Sequence, residues 1–95
     1  MTENLMTEEK IEMVCDNLKK FLLAKNERYG DSALDPLHIF SKEGKHNSIC
    51  QRIDDKLSRI KNSDELRKND VVDLAGYTVL LLCERLWLKF DDLID

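Results

Sequence analysis

The sequence has few of the residues that interrupt helices, with one proline and three glycines among 95 residues. Because tight turns need such residues, their scarcity favours a few helices over many short strands. Cysteine is scarce too, and the three cysteines lie far apart with no CxxC pair among them. This spacing argues against a zinc site and a disulfide framework, and we expect reduced, mostly buried thiols in a cytoplasmic protein.

Long hydrophobic runs and an excess of basic residues are missing as well. The longest uninterrupted apolar run is residues 79–83, far below the roughly 20 residues that cross a bilayer. The N-terminus lacks the basic start and apolar run of a secretory signal. The formal net charge is −4, whereas duplex nucleic acid favours a basic protein face. We therefore expect no membrane or duplex nucleic acid as partner, while a small nucleotide needs only a few local cations.

Apolar residues make up 42% of the chain and charged residues 36%, which is typical of a soluble globular protein. A chain of this length forms one modest core, so we expect a single all-α domain over residues 1–95, with residues 1–6 frayed. The predicted fold is a small bundle of about four helices with a long central C-terminal helix.

The first two predicted helices precede residue 41. The first should start near Thr7, as a hydroxyl cap, and fade near Lys25. Asp35-Pro36 predicts a cap and first turn of a short second helix. A buried stripe of the first helix contains apolar residues at helical spacing, namely Ile11, Val14, Cys15, Leu18, Phe21 and Leu22.

The third and fourth predicted helices follow a polar loop at residues 41–48. The third begins near residue 47 or 48 and ends near residue 60, with Ile49, Ile53, Leu57 and Ile60 on its apolar face. The fourth runs from about residue 69 to residue 90 or 93. It is apolar on more than one face, so we expect it to be the most buried element.

The fourth helix has acids on a stripe where apolar residues are expected. Asp70, Asp73 and Tyr77 share one face at 100° per residue. One interpretation is that the acids only interact with the positive end of the helix dipole. The other is that they face a cavity and bind magnesium, which prefers oxygen ligands and keeps several waters.

The third helix carries a group of charges beside its apolar face. Arg52, Lys56 and Arg59 lie there with Asp55 among them. They form either a solvated face with an ordinary Asp55–Arg59 pair or a phosphate clamp to which Asp55 adds a third acid. Residues 26–40, "NERYGDSALDPLHIF", are either a lid that turns Arg28 and Tyr29 towards a ligand or a plain turn.

Three linked stretches carry a family resemblance: "NERYGDSALDPLHIFSK", "SICQRIDDKLSRIKN" and "DVVDLAGYTVLLL". Together they resemble the phage and bacterial group called nucleotide modification associated domain 1, over roughly residues 25–83. The resemblance implies a link to phage nucleotide metabolism or base modification. A phage-encoded protein of this kind would work in the cytoplasm of a bacterial host.

The fourth helix also resembles the last motif of MazG-like all-α nucleotide pyrophosphatases, an E-x-x-D followed by a long apolar helix. Those enzymes bind magnesium through acids on two helices and cleave a nucleoside triphosphate to monophosphate and pyrophosphate. By position, Asp70 and Asp73 match the E-x-x-D pair. The third helix departs from the pattern, because Asp54 and Asp55 stand among cations where the enzymes carry E-E-x-x-E.

Three functions remain open. The first is a magnesium-dependent (deoxy)nucleoside triphosphate pyrophosphohydrolase, with metal at Asp55, Asp70 and Asp73 and catalysis by Asp55 and Asp73. The second is a non-catalytic protein that sequesters a nucleotide, such as a cyclic signal. The third is an anti-defence module that blocks a host defence protein. In the first two, the predicted ligand-binding residues are Arg28, Tyr29, Arg52, Lys56, Arg59 and Tyr77.

The C-terminal end predicts self-association. A long helix that is apolar on several faces has more hydrophobic surface than the other segments of the chain cover. We expect a homodimer or higher homo-oligomer in which the C-terminal apolar residues pack against a second subunit, namely Leu86, Trp87, Phe90, Leu93 and Ile94.

Overall fold

The computed structural model describes residues 4–30 and 45–94. This part of the chain contains α1 (Thr7–Tyr29), α2 (Lys45–Asn62), α3 (Lys68–Glu84) and a 3-10 turn at Asp91–Leu93. It contains no strand, so the all-α class is confirmed. The short helix predicted after Asp35-Pro36 lies outside the described residues, and the count of four helices stays a prediction. None of the described helices is long and apolar enough to cross a membrane.

The chain divides into two compact units, Met1–Gly30 and Asp31–Asp95. In the first unit, α1 begins at Thr7 with Met6 as its N-cap residue. The Met6 backbone N–H donates to Glu9 Oε1 at 3.0 Å, which satisfies one donor at the helix start. Thr7 is therefore the first helical residue and not the cap that its hydroxyl predicts.

The C-terminal end of α1 lies beyond the predicted end at Lys25. The Lys25 ammonium sits 4.8 Å from the centre of the Phe21 ring, an i, i+4 contact that supports the last turns. The helix continues to Tyr29 and stops at Gly30, whose φ of +65° suits glycine. Arg28 and Tyr29 consequently belong to a helix, so the prediction that a loop begins at residue 26 is wrong.

In the second unit, α2 packs against α3. The connection at residues 63–67 begins with Ser63, whose hydroxyl donates to the Glu65 carbonyl at 2.6 Å. The same Ser63 oxygen accepts from the Glu65 backbone N–H at 3.4 Å. Such serine turns satisfy backbone groups between two helices. At its other end α2 already starts at Lys45, so the predicted polar loop is helical from that residue onward.

The interior of the α2–α3 pair is small. Ile49 is fully buried, Ile53 and Ile60 are half-buried, and Leu57 is 49% exposed. On α3 most residues are half-buried, and Gly76 is buried. The apolar face predicted for the third helix, which is α2, is therefore present. Its N-terminal end is the most buried part.

The three cysteines all lie in the described part of the chain, and none of them forms a disulfide. Cys15 is exposed on α1, whereas Cys50 and Cys83 are half-buried. The expectation of mostly buried thiols is therefore wrong for Cys15.

The C-terminal end of α3 is set by backbone hydrogen bonds. The Leu86 N–H donates to the Cys83 carbonyl at 3.1 Å, and the Trp87 N–H donates to the Leu82 carbonyl at 2.9 Å. This pattern is a Schellman motif, in which the residue after the cap is left-handed. Leu86 has that conformation, with φ +61°. The helix ends at Glu84, so the prediction that it continues to residue 90 or 93 is wrong.

The segment after α3 exposes large apolar side chains. The exposed fractions are 58% for Trp87, 50% for Phe90, 74% for Leu93 and 81% for Ile94. These side chains are accessible to a partner, as the predicted subunit contact requires. The contact itself stays a prediction.

Replacing Leu86 by glycine should stabilise the protein. A branched side chain in the left-handed region costs roughly 1–2 kcal/mol, and the 76% exposed Leu86 side chain has little burial to lose. We expect Leu86→Gly to raise the free energy of unfolding by about 1 kcal/mol in chemical denaturation followed by circular dichroism. The matched control is Leu88→Gly, which is 66% exposed and should be neutral or destabilising. Equal losses for both variants would contradict the prediction.

Candidate functional site

Lys56 connects α2 to two acids of α3. Its Nζ lies 3.0 Å from Asp73 Oδ2 and 3.9 Å from Asp70 Oδ1. The side chains are 13% exposed for Lys56, 27% for Asp73 and 8% for Asp70. The two acids are three residues apart, so one face of α3 presents both of them. A single ammonium group thus offsets two carboxylates that repel each other.

A second contact lies one turn away on each helix. The Arg52 guanidinium carbon is 5.8 Å from the centre of the Tyr77 ring, within the range of a cation–π interaction. Arg52 precedes Lys56 on α2, whereas Tyr77 follows Asp73 on α3. Because the two contacts advance in opposite directions, the helices are antiparallel. We call these five residues, Arg52, Lys56, Asp70, Asp73 and Tyr77, the α2–α3 polar cluster.

The charged side chains Lys56, Asp70 and Asp73 of the cluster are largely shielded from solvent. Removing an ion from water costs several kcal/mol unless a partner compensates for it. Asp70 is the less exposed of the two acids and lies farther from the Lys56 ammonium. Asp73 is more exposed and makes the shorter contact with Lys56. The Lys56–Asp73 pair is therefore the main ion pair, and Lys56 reaches Asp70 at the limit of direct pairing.

The other predicted site residues of α2 have a different environment. Asp55 and Arg59 are exposed, as is Asp54. Exposed charges at i, i+4 spacing interact weakly, by roughly 0.2–0.5 kcal/mol. These residues are available to a ligand, but their exposure is equally that of an ordinary solvated helix face.

Arg28 and Tyr29 lie in the last turn of α1. The Arg28 guanidinium carbon is 5.7 Å from the centre of the Tyr29 ring, and the Tyr29 residue is 60% exposed. Both belong to the unit Met1–Gly30. Their participation in one site with the α2–α3 polar cluster stays a prediction, and the rest of the predicted lid, residues 31–40, lies outside the described residues.

The predicted magnesium site depends on three carboxylates. Within residues 4–30 and 45–94, no group of three or more histidine, cysteine, aspartate or glutamate side chains is placed to hold a metal ion. Asp70 and Asp73 alone fit the sites of one or two carboxylates that magnesium uses alongside phosphate oxygens. Binding there requires the Lys56 ammonium to move away from both acids. Magnesium ligation by Asp55, Asp70 and Asp73 remains a prediction.

The direct pairing of Lys56 with the acids is the feature that sequence reasoning missed. The sequence predicted either a solvated face or phosphate binding for the cations of the third helix, and either a helix-dipole interaction or magnesium binding for the acids of the fourth helix. A signal was present, because two acids on an inward stripe of an apolar helix need a counter-charge. Lys56 lies three residues after Ile53, on the edge of the apolar face, where a long side chain reaches across to a neighbouring helix.

Comparisons of this chain with protein-family models, curated proteins and solved structures found no match. The likeness to the nucleotide modification associated domain 1 group and to MazG-like enzymes therefore stays a prediction from the sequence motifs. What this part of the chain can bind follows from the geometry and charge of the polar cluster.

Removing the Lys56 charge should destabilise the α2–α3 pair. Lys56→Met leaves two poorly solvated acids without their ammonium, so we expect the free energy of unfolding to fall by about 1–3 kcal/mol. Adding Asp73→Asn to Lys56→Met should recover part of the loss, and a double-mutant cycle gives the coupling. Lys61→Met, an exposed lysine of the same helix, is the control and should change stability by no more than about 0.5 kcal/mol. A loss in Lys56→Met equal to that of the control would show that the ion pairs contribute nothing.

Proposed function

We propose that this chain is a nucleotide-binding helical protein, in which Arg52 and Lys56 recognise a phosphate group and Tyr77 contacts the base or sugar. The main support for this proposal is that two cations of α2 contact two acids and a tyrosine of α3. An arginine offers phosphate a planar fork of donors, while a lysine acts as a point charge. One helical turn separates the two cations, so one phosphate can contact both.

The charge of the cluster favours binding without hydrolysis. Two cations, Arg52 and Lys56, stand against two acids, Asp70 and Asp73, so the formal charges cancel. An acidic cluster would repel a highly charged triphosphate. A neutral cluster does not repel the triphosphate in this way, but it does not attract the triphosphate strongly either. A nucleotide with one negative charge per phosphate, such as a cyclic nucleotide, is the ligand class that this balance supports. A protein of this kind would sequester the nucleotide.

The catalytic alternative depends on the acids being released from Lys56. Magnesium held by Asp70 and Asp73, with Asp55 as the third predicted ligand, would neutralise charge on phosphate oxygens. Under this alternative Arg52 and Lys56 hold the phosphates, and the protein is a (deoxy)nucleoside triphosphate pyrophosphohydrolase. The short Lys56–Asp73 contact engages both groups, so magnesium must displace Lys56 from the acids and a phosphate must compete with Asp73 for Lys56.

A thermal-shift screen separates these proposals. The panel contains cyclic nucleotides, monophosphates and triphosphates, each with magnesium or with a chelator. We expect cyclic nucleotides to raise the melting temperature equally in both conditions, since binding through Arg52 and Lys56 needs no metal. A shift confined to triphosphates with magnesium, accompanied by released pyrophosphate, would support the enzyme. No shift with any nucleotide would contradict both.

Arg52 is the residue whose removal should weaken binding most directly. Hydrogen bonds to charged groups are worth about 1.5–3 kcal/mol, so Arg52→Gln should lower nucleotide affinity by about tenfold to a hundredfold in calorimetry. Lys61→Gln removes an equal charge from an exposed position of α2 and should leave affinity nearly unchanged. Equal effects of the two variants would show that only overall charge matters. Chromatography of the released ligand should recover it intact.

A further inference from the structure

The first helix carries an apolar stripe with heptad spacing. Ile11, Val14, Leu18 and Phe21 are separated by three, four and three residues, as are the a and d positions of a coiled coil. Ile11 is 57% exposed and Val14 is 65% exposed. No residue of α1 is buried, so the prediction that this stripe is buried is wrong. The stripe therefore offers a surface for another helix.

The charges of α1 are divided between its two halves. Residues 7–18 contain four acids and one lysine, for a formal charge of −3. Residues 19–29 contain four basic residues and one glutamate, for a formal charge of +3. The helix is thus acidic at its start and basic at its end, and two parallel copies would place like charges together.

We propose that α1 binds the α1 of a second copy of this chain in antiparallel orientation. Each acidic half then lies beside the basic half of the other helix. At about 10 Å in water, each pair of unit charges contributes little, but the sign is favourable for both halves. Antiparallel helix dipoles favour the same orientation. The stripe provides the attraction, and the charges determine the direction.

The spacing of the stripe also defines a register. Pairing a with d positions places Ile11 opposite Phe21 of the partner subunit, and Val14 opposite Leu18 of the partner subunit. The midpoint of the paired segment then falls at Asp16. Cys15 flanks the apolar seam next to the partner's Cys15. In a parallel pair, the two Cys15 side chains would flank opposite sides of the seam. Cys15 is exposed, so its thiol can report the orientation.

A second copy is the favoured occupant because the charge pattern of α1 is complementary to itself. The other possible occupants are the remainder of the same chain and an unrelated protein. Pairing through α1 is independent of the proposed nucleotide binding. It uses a surface different from the C-terminal segment predicted above to form the subunit contact.

The first experiment measures the oligomeric state by sedimentation across a wide concentration series, because two heptads form only a short seam. We expect the full-length chain to dimerise and Val14→Glu to shift it to monomer. Leu23→Glu is the matched control, since Leu23 is 59% exposed and lies on the opposite side of α1. The control should dimerise like the parent chain. A monomeric parent chain, or a dimer that Val14→Glu leaves intact, would overturn the proposal.

The second experiment tests the orientation in a chain carrying Cys50→Ala and Cys83→Ala. A short bis-maleimide should join two copies through Cys15 with high yield. Moving the thiol, by Cys15→Ala with Leu23→Cys, should abolish the product. High salt should weaken the dimer, because it screens the charges that set the direction. A dimer without the Cys15 cross-link would overturn the antiparallel arrangement.

Discussion

The ammonium of Lys56 between Asp70 and Asp73 is the interaction on which the α2–α3 pair depends. An apolar helix that turns two acids towards its neighbour is unstable unless that neighbour supplies a cation. Lys56 meets this requirement with contacts of 3.0 Å and 3.9 Å. Because the acids are fixed on α3 and the lysine on α2, the pairing also fixes how far one helix can slide along the other.

A slide of one turn, about 5.4 Å, would carry Asp73 out of reach of Lys56. The same slide would separate Arg52 from Tyr77. Apolar contacts define a register less sharply, since isoleucine side chains on either helix pack almost as well after a shift. In the described part of this unit, where Ile49 is the one fully buried hydrophobic side chain, the polar contacts therefore have a large share in specifying the structure.

The sequence predicts the features that follow from periodicity, and misses those that follow from a single backbone angle or a side-chain contact between helices. The all-α class, the apolar face around Ile49 and the shared face of Asp70, Asp73 and Tyr77 come from spacing alone. The end of α3 at Glu84 depends on a left-handed Leu86, and a leucine carries no turn signal. Likewise, the α1 extension past Lys25 ends only at Gly30, the first residue there with φ suited to glycine. The pairing of Lys56 needed knowledge of which helix face opposes it.

The ion pairs also limit which ligands the cluster can accept. An anion that approaches Lys56 must compete with Asp73, which is already in contact, and it meets the field of both carboxylates. Since the four charged groups sum to zero, each additional negative charge on the ligand gains no net attraction from the cluster, while its own desolvation still costs free energy. A nucleotide with a singly charged phosphate loses least, and its aromatic base can contact Tyr77, which is half-buried beside Arg52. A triphosphate needs further positive charge, either from a metal ion or from exposed residues such as Arg59. The cluster therefore discriminates by ligand charge before it discriminates by base.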